Sequence, residues 1–327
     1  MKEQTYVLGV DIGGTKIALC VGDNKGNIKS SRRLQGGTRQ EYKEVLPELI
    51  KLAKQTVAEA GLEMDDIDVV GLSCPGPLNI KDGIIEQTPN MVWEDVPLRD
   101  DIARELGIHA VMQNDANGGA LAEWFFGAGR GYHDLLYLTM STGIGGGIIA
   151  EDNLIEGETG NAGEVGHVVL DVNGPSCSCG MNGCFEAFCG GRSVANQLRS
   201  IVQHQPDHPF LAIPGVDGNP DNLRYETLRT GVQQGIPEAE KLWDNICMRF
   251  AHGISIQMMT FNPALIILGT TFYYSGDLLL EPVKKYLPRF CWHQMLDSCD
   301  IKLPGLGSQV GELSGIAVGL YDILHKG

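Results

Sequence analysis

Over the first 35 positions, apolar residues gather in short runs separated by glycine-bearing turns. Tyr6–Ile12 is one run, Gly13-Gly14 turns it, Lys16–Gly22 returns, and Asn24-Lys25-Gly26 turns again into a further short strand. That order predicts an N-terminal β-hairpin. The period then changes. Between Lys43 and Ala60, the residues Leu46, Leu49, Ile50, Ala53 and Val57 fall on one helical face, and Gly61 closes the segment, so an amphipathic helix is expected. Val69–Ser73 reads as a buried strand ended by Pro75-Gly76-Pro77, and His109–Met112 as a strand end.

The opening device recurs at Leu135. Leu135–Met140 is apolar, Thr142-Gly143-Ile144-Gly145-Gly146-Gly147 turns, Ile148–Ala150 returns, and Asp152-Asn153 turns again. Two strand–glycine turn–strand units about 130 residues apart imply an internally duplicated α/β fold with one hairpin per domain. Further on, Leu242, Ile246, Phe250, Ile254 and Met258 recur every four residues in a long helix that Pro237 starts and Asn262-Pro263 stops. Ala264–Leu268 reads as another buried strand, and Leu313, Ile316, Leu320 and Ile323 as one face of a closing helix. Gln203–Asn222, rich in Pro, Gly and Asp, is expected to be a surface loop.

At 327 residues the chain is long for one core and comfortable for two. The division expected is residues 1–117 and a larger 118–310, with the helix at about 311–327 packing back on the first domain. A formal net charge of −16 speaks against a nucleic-acid partner, which would need clustered Lys and Arg. No apolar stretch approaches membrane-spanning length, and the first apolar run soon meets Asp11, unlike an export signal. Nine cysteines, an odd number, then read as reduced thiols in a cytoplasmic protein. Cys20, Cys74, Cys189, Cys247, Cys291 and Cys299 lack ligand spacing and read as core thiols.

The remaining three cysteines are different. Cys177, Cys179 and Cys184 lie within eight positions, follow His167, and are interleaved with Gly180 and Gly183. One imidazole and three thiolates complete a tetrahedral shell for a structural Zn²⁺, with no position left for catalysis. A Cys177–Cys179 disulfide is disfavoured by their closeness and by the compartment.

Both glycine turns carry chemistry beside them. Glycine lets backbone N–H groups approach an anion; Thr15 and Thr142 add hydroxyl donors, and Asp11 is suited to a metal ion with its waters. Neither is a Walker or a Rossmann loop, because each leads into a strand where those motifs need a helix. A pair of tight β-turns is the plain alternative for either alone; together they read as phosphate loops. Between them, Gln113-Asn114-Asp115 follows a strand end. Asp115 could accept the proton of an attacking hydroxyl while Asn114 grips neighbouring ones. Equally, Asn114 or Asp115 could cap a helix starting near Ala116. Glu164 and Glu186 flank the cysteine cluster and would be held rigidly if a metal pins it; each alone reads as a surface residue.

With those residues in hand, the chain resembles the ROK family of sugar kinases and sugar-responsive repressors over nearly its whole length. Asp11-Ile-Gly13-Gly14-Thr15-Lys16 is similar to the family's first phosphate motif and Ser141-Thr142-Gly143-Ile-Gly145-Gly-Gly147 to its second. Thr88-Pro-Asn90 and Asn114-Asp115 are similar to its sugar-contacting and catalytic segments. Gly163-Glu164-Val-Gly-His167 followed by Cys177-Ser-Cys179-Gly-Met-Asn-Gly-Cys184-Phe-Glu186 is similar to its signature.

The resemblance implies an actin-like, ribonuclease-H-like fold of two α/β domains with the active site in a cleft between them. It implies a hexose kinase using ATP and Mg²⁺, with zinc as a structural ion. Asp115 would be the base; Asn90, Asn114, Glu164, His167 and Glu186 would bind the sugar. Asp11, Gly13, Gly14, Thr15, Lys16, Thr142, Gly143, Gly145 and Gly269 would serve the nucleotide. Glucose phosphorylated at its 6-hydroxyl is the expected reaction, with mannose, fructose, N-acetylmannosamine, N-acetylglucosamine and allose as alternatives, in a homodimer or homotetramer. A sensor or repressor is disfavoured because the first strand begins by Tyr6, leaving no room for a helix-turn-helix. An actin-like cytoskeletal or chaperone ATPase would share the fold and lack the cysteine signature. Two positions depart from the family pattern. After Leu268-Gly269, where the family carries a glycine run, stand Thr270-Thr271-Phe272-Tyr273-Tyr274, and Gln113 stands where it often has Glu.

Overall fold

The structure is a computed structural model that describes residues 4–86 and 91–326. From the N-terminus run β1 (Tyr6–Ile12), β2 (Lys16–Asp23), β3 (Ile28–Gln35), α1 (Tyr42–Glu59), β4 (Val69–Cys74), β5 (Leu78–Asn79), β6 (Ile84–Ile85), α2 (Leu98–Leu106), β7 (Ala110–Asn114) and α3 (Asp115–Phe126). The larger strands form a sheet in the order β3-β2-β1-β4-β7. The hairpin strands β1, β2 and β3 pair antiparallel, whereas β1, β4 and β7 run parallel.

Strand periodicity decides what each face of this sheet does. Leu8, Val10 and Ile12 join Val45, Leu49, Ala53 and Val57 of α1 in one buried cluster, with Leu46 at its edge. Val7, Gly9 and Asp11 alternate to the other face.

The second run comprises β8 (Leu135–Met140), β9 (Ile144–Ala150), β10 (Asn153–Leu154), α4 (Phe185–Cys189), α5 (Gly191–Val202), α6 (Tyr225–Gln233), α7 (Pro237–Phe261), β11 (Leu265–Thr270), α8 (Thr271–Ser275), α9 (Asp277–Tyr286), α10 (His293–Ser298), β12 (Asp300–Lys302) and α11 (Val310–Lys326). Its sheet order is β10-β9-β8-β11-β12. The second glycine turn is shorter than the sequence suggests: β9 begins at Ile144, so Gly145 and Gly147 are strand residues and the bend is confined to Ser141–Gly143. Likewise β11 runs past Leu268 to Thr270, which places Gly269 in the strand.

The chain divides into two compact units, one formed within 1–137, 147–163 and 304–327, the other by 138–146 and 164–303. In the first, α11 lies on β1 and β4 and beside α3. Glycines permit this contact. A Cβ on Gly71 would stand 2.0 Å from the Gly315 carbonyl oxygen, and one on Gly315 would stand 2.6 Å from the Val10 nitrogen. In the second, Phe250 of α7 packs between Phe185 and Phe272, at ring distances of 4.8 and 4.6 Å. Trp243 takes the core position next to the half-buried Leu242. The segment 203–222 is not a plain surface loop. It buries His208, Phe210, Ile213 and Val216, which anchor two short 3-10 turns to the unit.

Candidate active site

The first unit gathers the residues around the first glycine turn. Asp11 pairs in register with Ser73 of β4, and Ser73 with Gln113 of β7, so Asp11 and Gln113-Asn114-Asp115 reach the same end of one sheet. Burial first, then the neighbouring Asp115 carboxylate, push the Asp11 carboxyl from its ordinary 3.8 up to about 7. Glu312 of α11 adds to the rise and Lys16 opposes it. Gly311 keeps the approach to Asp11 open, since a Cβ there would be 3.0 Å from Oδ2. Glu312 and Gly311 carry no motif, and the sequence did not single them out.

Asn114 caps α3: its Oδ1 accepts from the N–H groups of Ala116 (2.9 Å) and Asn117 (3.1 Å). The capping alternative therefore belongs to Asn114, and Asp115, exposed at the first helical position, is spared that duty. Asn90 lies outside the described residues.

The two glycine turns share a bonding pattern. In the first, Gly13 N–H donates to the Lys16 carbonyl at 2.9 Å. The carbonyls of Gly13 and Thr15 accept from Thr38 Oγ1 (3.0 Å) and Gly36 N–H (2.8 Å). In the second, the carbonyls of Ser141, Thr142 and Gly143 accept from Gly191, Arg192 and Ser141 N–H groups at 2.9, 3.0 and 2.9 Å. The protein satisfies these acceptors itself, and with them the Gly13 and Ser141 N–H donors, so the remaining N–H groups and hydroxyls are what each turn offers a ligand.

The second unit holds the cysteine cluster. The ligand atoms of His167, Cys177, Cys179 and Cys184 all lie within 4.8 Å of one another. Cys179 and Cys184 sulfurs stand 3.7 Å apart, and Cys177 Sγ is 3.6 Å from His167 Nδ1. Tetrahedral zinc with sulfur ligands at about 2.3 Å needs edges of about 3.8 Å, so the donor set fits. A small hairpin makes it, with a bridge between Ser176 and Asn182 and with Gly180 and Gly183 at positive φ. The other ring nitrogen of His167, Nε2, faces Glu164 Oε2 at 3.8 Å. Glu186 accepts from Ile144 N–H at 2.9 Å and from Ser178 Oγ at 3.2 Å. A Cβ on Gly143 would stand 2.2 Å from Glu186 Oε2, so that glycine makes room for the carboxylate. Glu164 is exposed.

A cavity of about 460 Å³ opens in the same unit, lined among others by Thr142, Arg192, Arg224, Thr270, Thr271 and Tyr274. Of the aromatic residues that depart from the family pattern, Phe272 is fully buried against Phe250 and Tyr274 lines the cavity. Thr270 has φ 52° and ψ −104°, which is uncommon for a β-branched residue. Its Oγ1 secures the turn by accepting from Met140 N–H at 2.8 Å and donating to the Met140 carbonyl.

A two-unit α/β fold with paired glycine turns and a Cys₃His cluster defines an actin-like sugar-kinase architecture. Residues 7–318 match the ROK family, and the chain belongs to it as a sugar kinase. A glucokinase of Streptomyces coelicolor is 30% identical over 323 residues, covering 98% of this chain and 97% of that protein. The ROK hexokinase of Thermus thermophilus superposes with a TM-score of 0.85 at 29% identity, covering 98% and 99% of the two chains. The ROK glucokinase of Streptomyces griseus, solved with glucose and AMPPNP, gives 0.78 at 29%, covering 97% and 99%. Relatives also include a xylose repressor of Caldicellulosiruptor bescii, 25% identical over 323 residues, with 99% of this chain and 80% of that protein covered. No helix among the described residues is long and apolar enough to cross a membrane.

Proposed function

We propose that this protein is an ATP-dependent hexose kinase that transfers the terminal phosphoryl group to the 6-hydroxyl of glucose in the cytoplasm. The observation that carries the reading is the placement of Asp115 beside Asp11, at one end of the sheet that also forms the first glycine turn. Asp115 accepts the proton of the attacking hydroxyl. Asn114, its Oδ1 occupied by the helix cap, presents its amide nitrogen to a sugar hydroxyl. Glu164, His167 through Nε2, Glu186 and Asn90 complete the sugar contacts.

The donor's phosphates lie on the turns around Gly13-Gly14-Thr15-Lys16 and Thr142-Gly143, with Gly145 and Gly269 supporting the strands on which the second turn and the base cavity rest. The cavity lined by Thr270, Thr271 and Tyr274 takes the base and ribose. Asp11 stands among carboxylates with Lys16 as its one opposing charge. That is a donor set suited to Mg²⁺, which when bound with ATP neutralises charge developing on the phosphates. His167, Cys177, Cys179 and Cys184 would hold Zn²⁺, and the ion would fix the hairpin and the His167 ring. Glucose is favoured by the named activities of the relatives at 30% and 29% identity.

Coupled ADP release over glucose, mannose, fructose, N-acetylmannosamine, N-acetylglucosamine, allose and xylose, with ATP and then other phosphoryl donors, tests the reading. Glucose with ATP should give the highest kcat/KM. Replacing Asp115 by Asn should cut kcat by ~10²–10⁴. Near-parent turnover in a folded Asp115→Asn protein removes Asp115 from the role.

A further inference from the structure

Gln113 precedes Asn114 and Asp115 on β7, is buried, and uses its amide in both directions. Its Oε1 accepts from Asn117 Nδ2 at 3.2 Å, and its Nε2 donates to Glu156 Oε1. Glu156 is half-buried, and none of the ion pairs among the described residues supplies it with a cation. Two residues earlier, Leu154 N–H donates to the Tyr321 hydroxyl at 2.8 Å. The start of the segment 155–163 is thus tied to α11 by Tyr321 and to β7 by Gln113. This segment is glycine-rich, and in sequence it runs directly into Glu164. Ile155 N–H also donates to the Ile148 carbonyl of β9 at 2.9 Å, and the backbone bond from Ala162 N–H to the Glu156 carbonyl (2.9 Å) closes the loop on Glu156 itself.

The residue type at 113 matters electrostatically. A neutral amide donates a hydrogen bond to Glu156 and brings no like charge to it. A glutamate there would face Glu156 carboxylate to carboxylate, and one of the two would have to keep a proton. We propose that Gln113 and Glu156 form a latch that fixes the loop 155–163 against the strand end carrying Asn114 and Asp115, and thereby sets affinity for the sugar. Both are positioning residues. The proposal rests on the reading of Asn114 and Asp115 as sugar-facing.

The test compares the full-length parent, Gln113→Glu, Glu156→Gln and the exchanged double variant Gln113→Glu/Glu156→Gln. Sugar KM and kcat are measured at about pH 5.5 and about pH 8, alongside hydrogen–deuterium exchange of 155–163. Gln113→Glu should raise the sugar KM by ~10-fold or more at the higher pH, where both carboxylates ionise. The rise should be much smaller at the lower pH, where they share a proton. Exchanging the two residues restores one amide and one carboxylate, and should return KM to within about threefold of the parent and restore protection of 155–163. A KM unmoved by Gln113→Glu at both pH values, or a double variant no better than the single one, overturns the proposal. If the parent turns over no sugar, the kinase reading fails by itself. Protection of 155–163 then decides the latch: unchanged protection across the four proteins refutes it, and loss with rescue retains it.

Discussion

Asp11 is half-buried, and burial raises its carboxyl first, with the like charges of Asp115 and Glu312 adding to the rise and Lys16 opposing it. A carboxyl whose pKa rises on folding favours the folded state while it keeps its proton. The unfolded chain loses that proton near 3.8 and the folded one near 7. Stability contributed by the protonated form is therefore complete below about pH 4, declines as pH rises, and is gone above about pH 7. Asp11→Asn should accordingly raise the Tm of the ligand-free protein at pH 8 and leave it nearly unchanged at pH 4. The same variant should lose most ATP-dependent turnover if Asp11 serves the donor's metal. Thermal melts at the two pH values check the sign; a variant less stable than the parent at pH 8 would contradict this account of Asp11. At this scale the sequence was partly legible. Asp11 and Asp115 stood out because each adjoins a turn or strand end. Whether Asn114 or Asp115 caps α3 was undecidable, since either residue type can do so. Glu156, Gly311 and Glu312 gave no signal, because their relevance comes from partners distant in sequence that only the fold brings close.

Two elements owe their positions to features finer than hydrophobic patterning. The helix α11 lies on β1 and β4 because Gly9, Gly71 and Gly315 remove side chains where backbones meet. Gly71→Ala would set a methyl 2.0 Å from the Gly315 carbonyl oxygen, which is backbone and cannot rotate aside. Overpacking of this kind costs about 1–3 kcal/mol or more. Denaturant titration should show that loss, while Gly61→Ala tests a glycine with open space but positive φ and should cost about 1 kcal/mol. The metal hairpin is the other case. Cys184 is fully buried at the start of α4 and Cys179 is exposed, with their sulfurs 3.7 Å apart. Metal analysis should find about one Zn²⁺ per chain. Cys179→Ser should lower zinc content and Tm together and reduce sugar affinity by ~10–100-fold through the loosened His167. Unchanged zinc content would sink the assignment. Strands, both hairpins, α1, α7 and the cysteine cluster were legible, because each has a strong local period or spacing. The extent of β9 and β11 was not. Glycine in a pattern reads as a turn, yet Gly145, Gly147 and Gly269 are strand residues, and at Gly147 the backbone of Ala116 comes close, with a Cβ there 2.7 Å from its carbonyl oxygen. Nor was the anchoring of 203–222, where five buried side chains outweigh a polar composition.

For the molecule as a whole, linkage between ligand and fold separates a sugar kinase of stated specificity from its relatives. A ligand that binds only the folded state stabilises it by RT ln(1 + [L]/Kd), about 2.7 kcal/mol at a hundredfold excess over Kd. For a chain of this length that corresponds to a rise in Tm of roughly 4 °C. Glucose should produce such a rise in the zinc-loaded protein, and ATP with Mg²⁺ should produce its own. Asp115→Asn should retain both rises while its turnover collapses, because a general base contributes to the chemical step far more than to ground-state binding. That combination distinguishes catalysis by Asp115 from a structural contribution, which would move Tm shifts and turnover together. The acceptor is decided by the same melts. A sugar that raises Tm at millimolar concentration and also supports ADP release is the substrate, whereas one that raises Tm without supporting release binds without presenting its hydroxyl to Asp115. Glucose failing to shift Tm while mannose, fructose or an N-acetylated hexose does so would remove glucose as the acceptor and leave the fold, the glycine turns and the Cys₃His cluster unaffected.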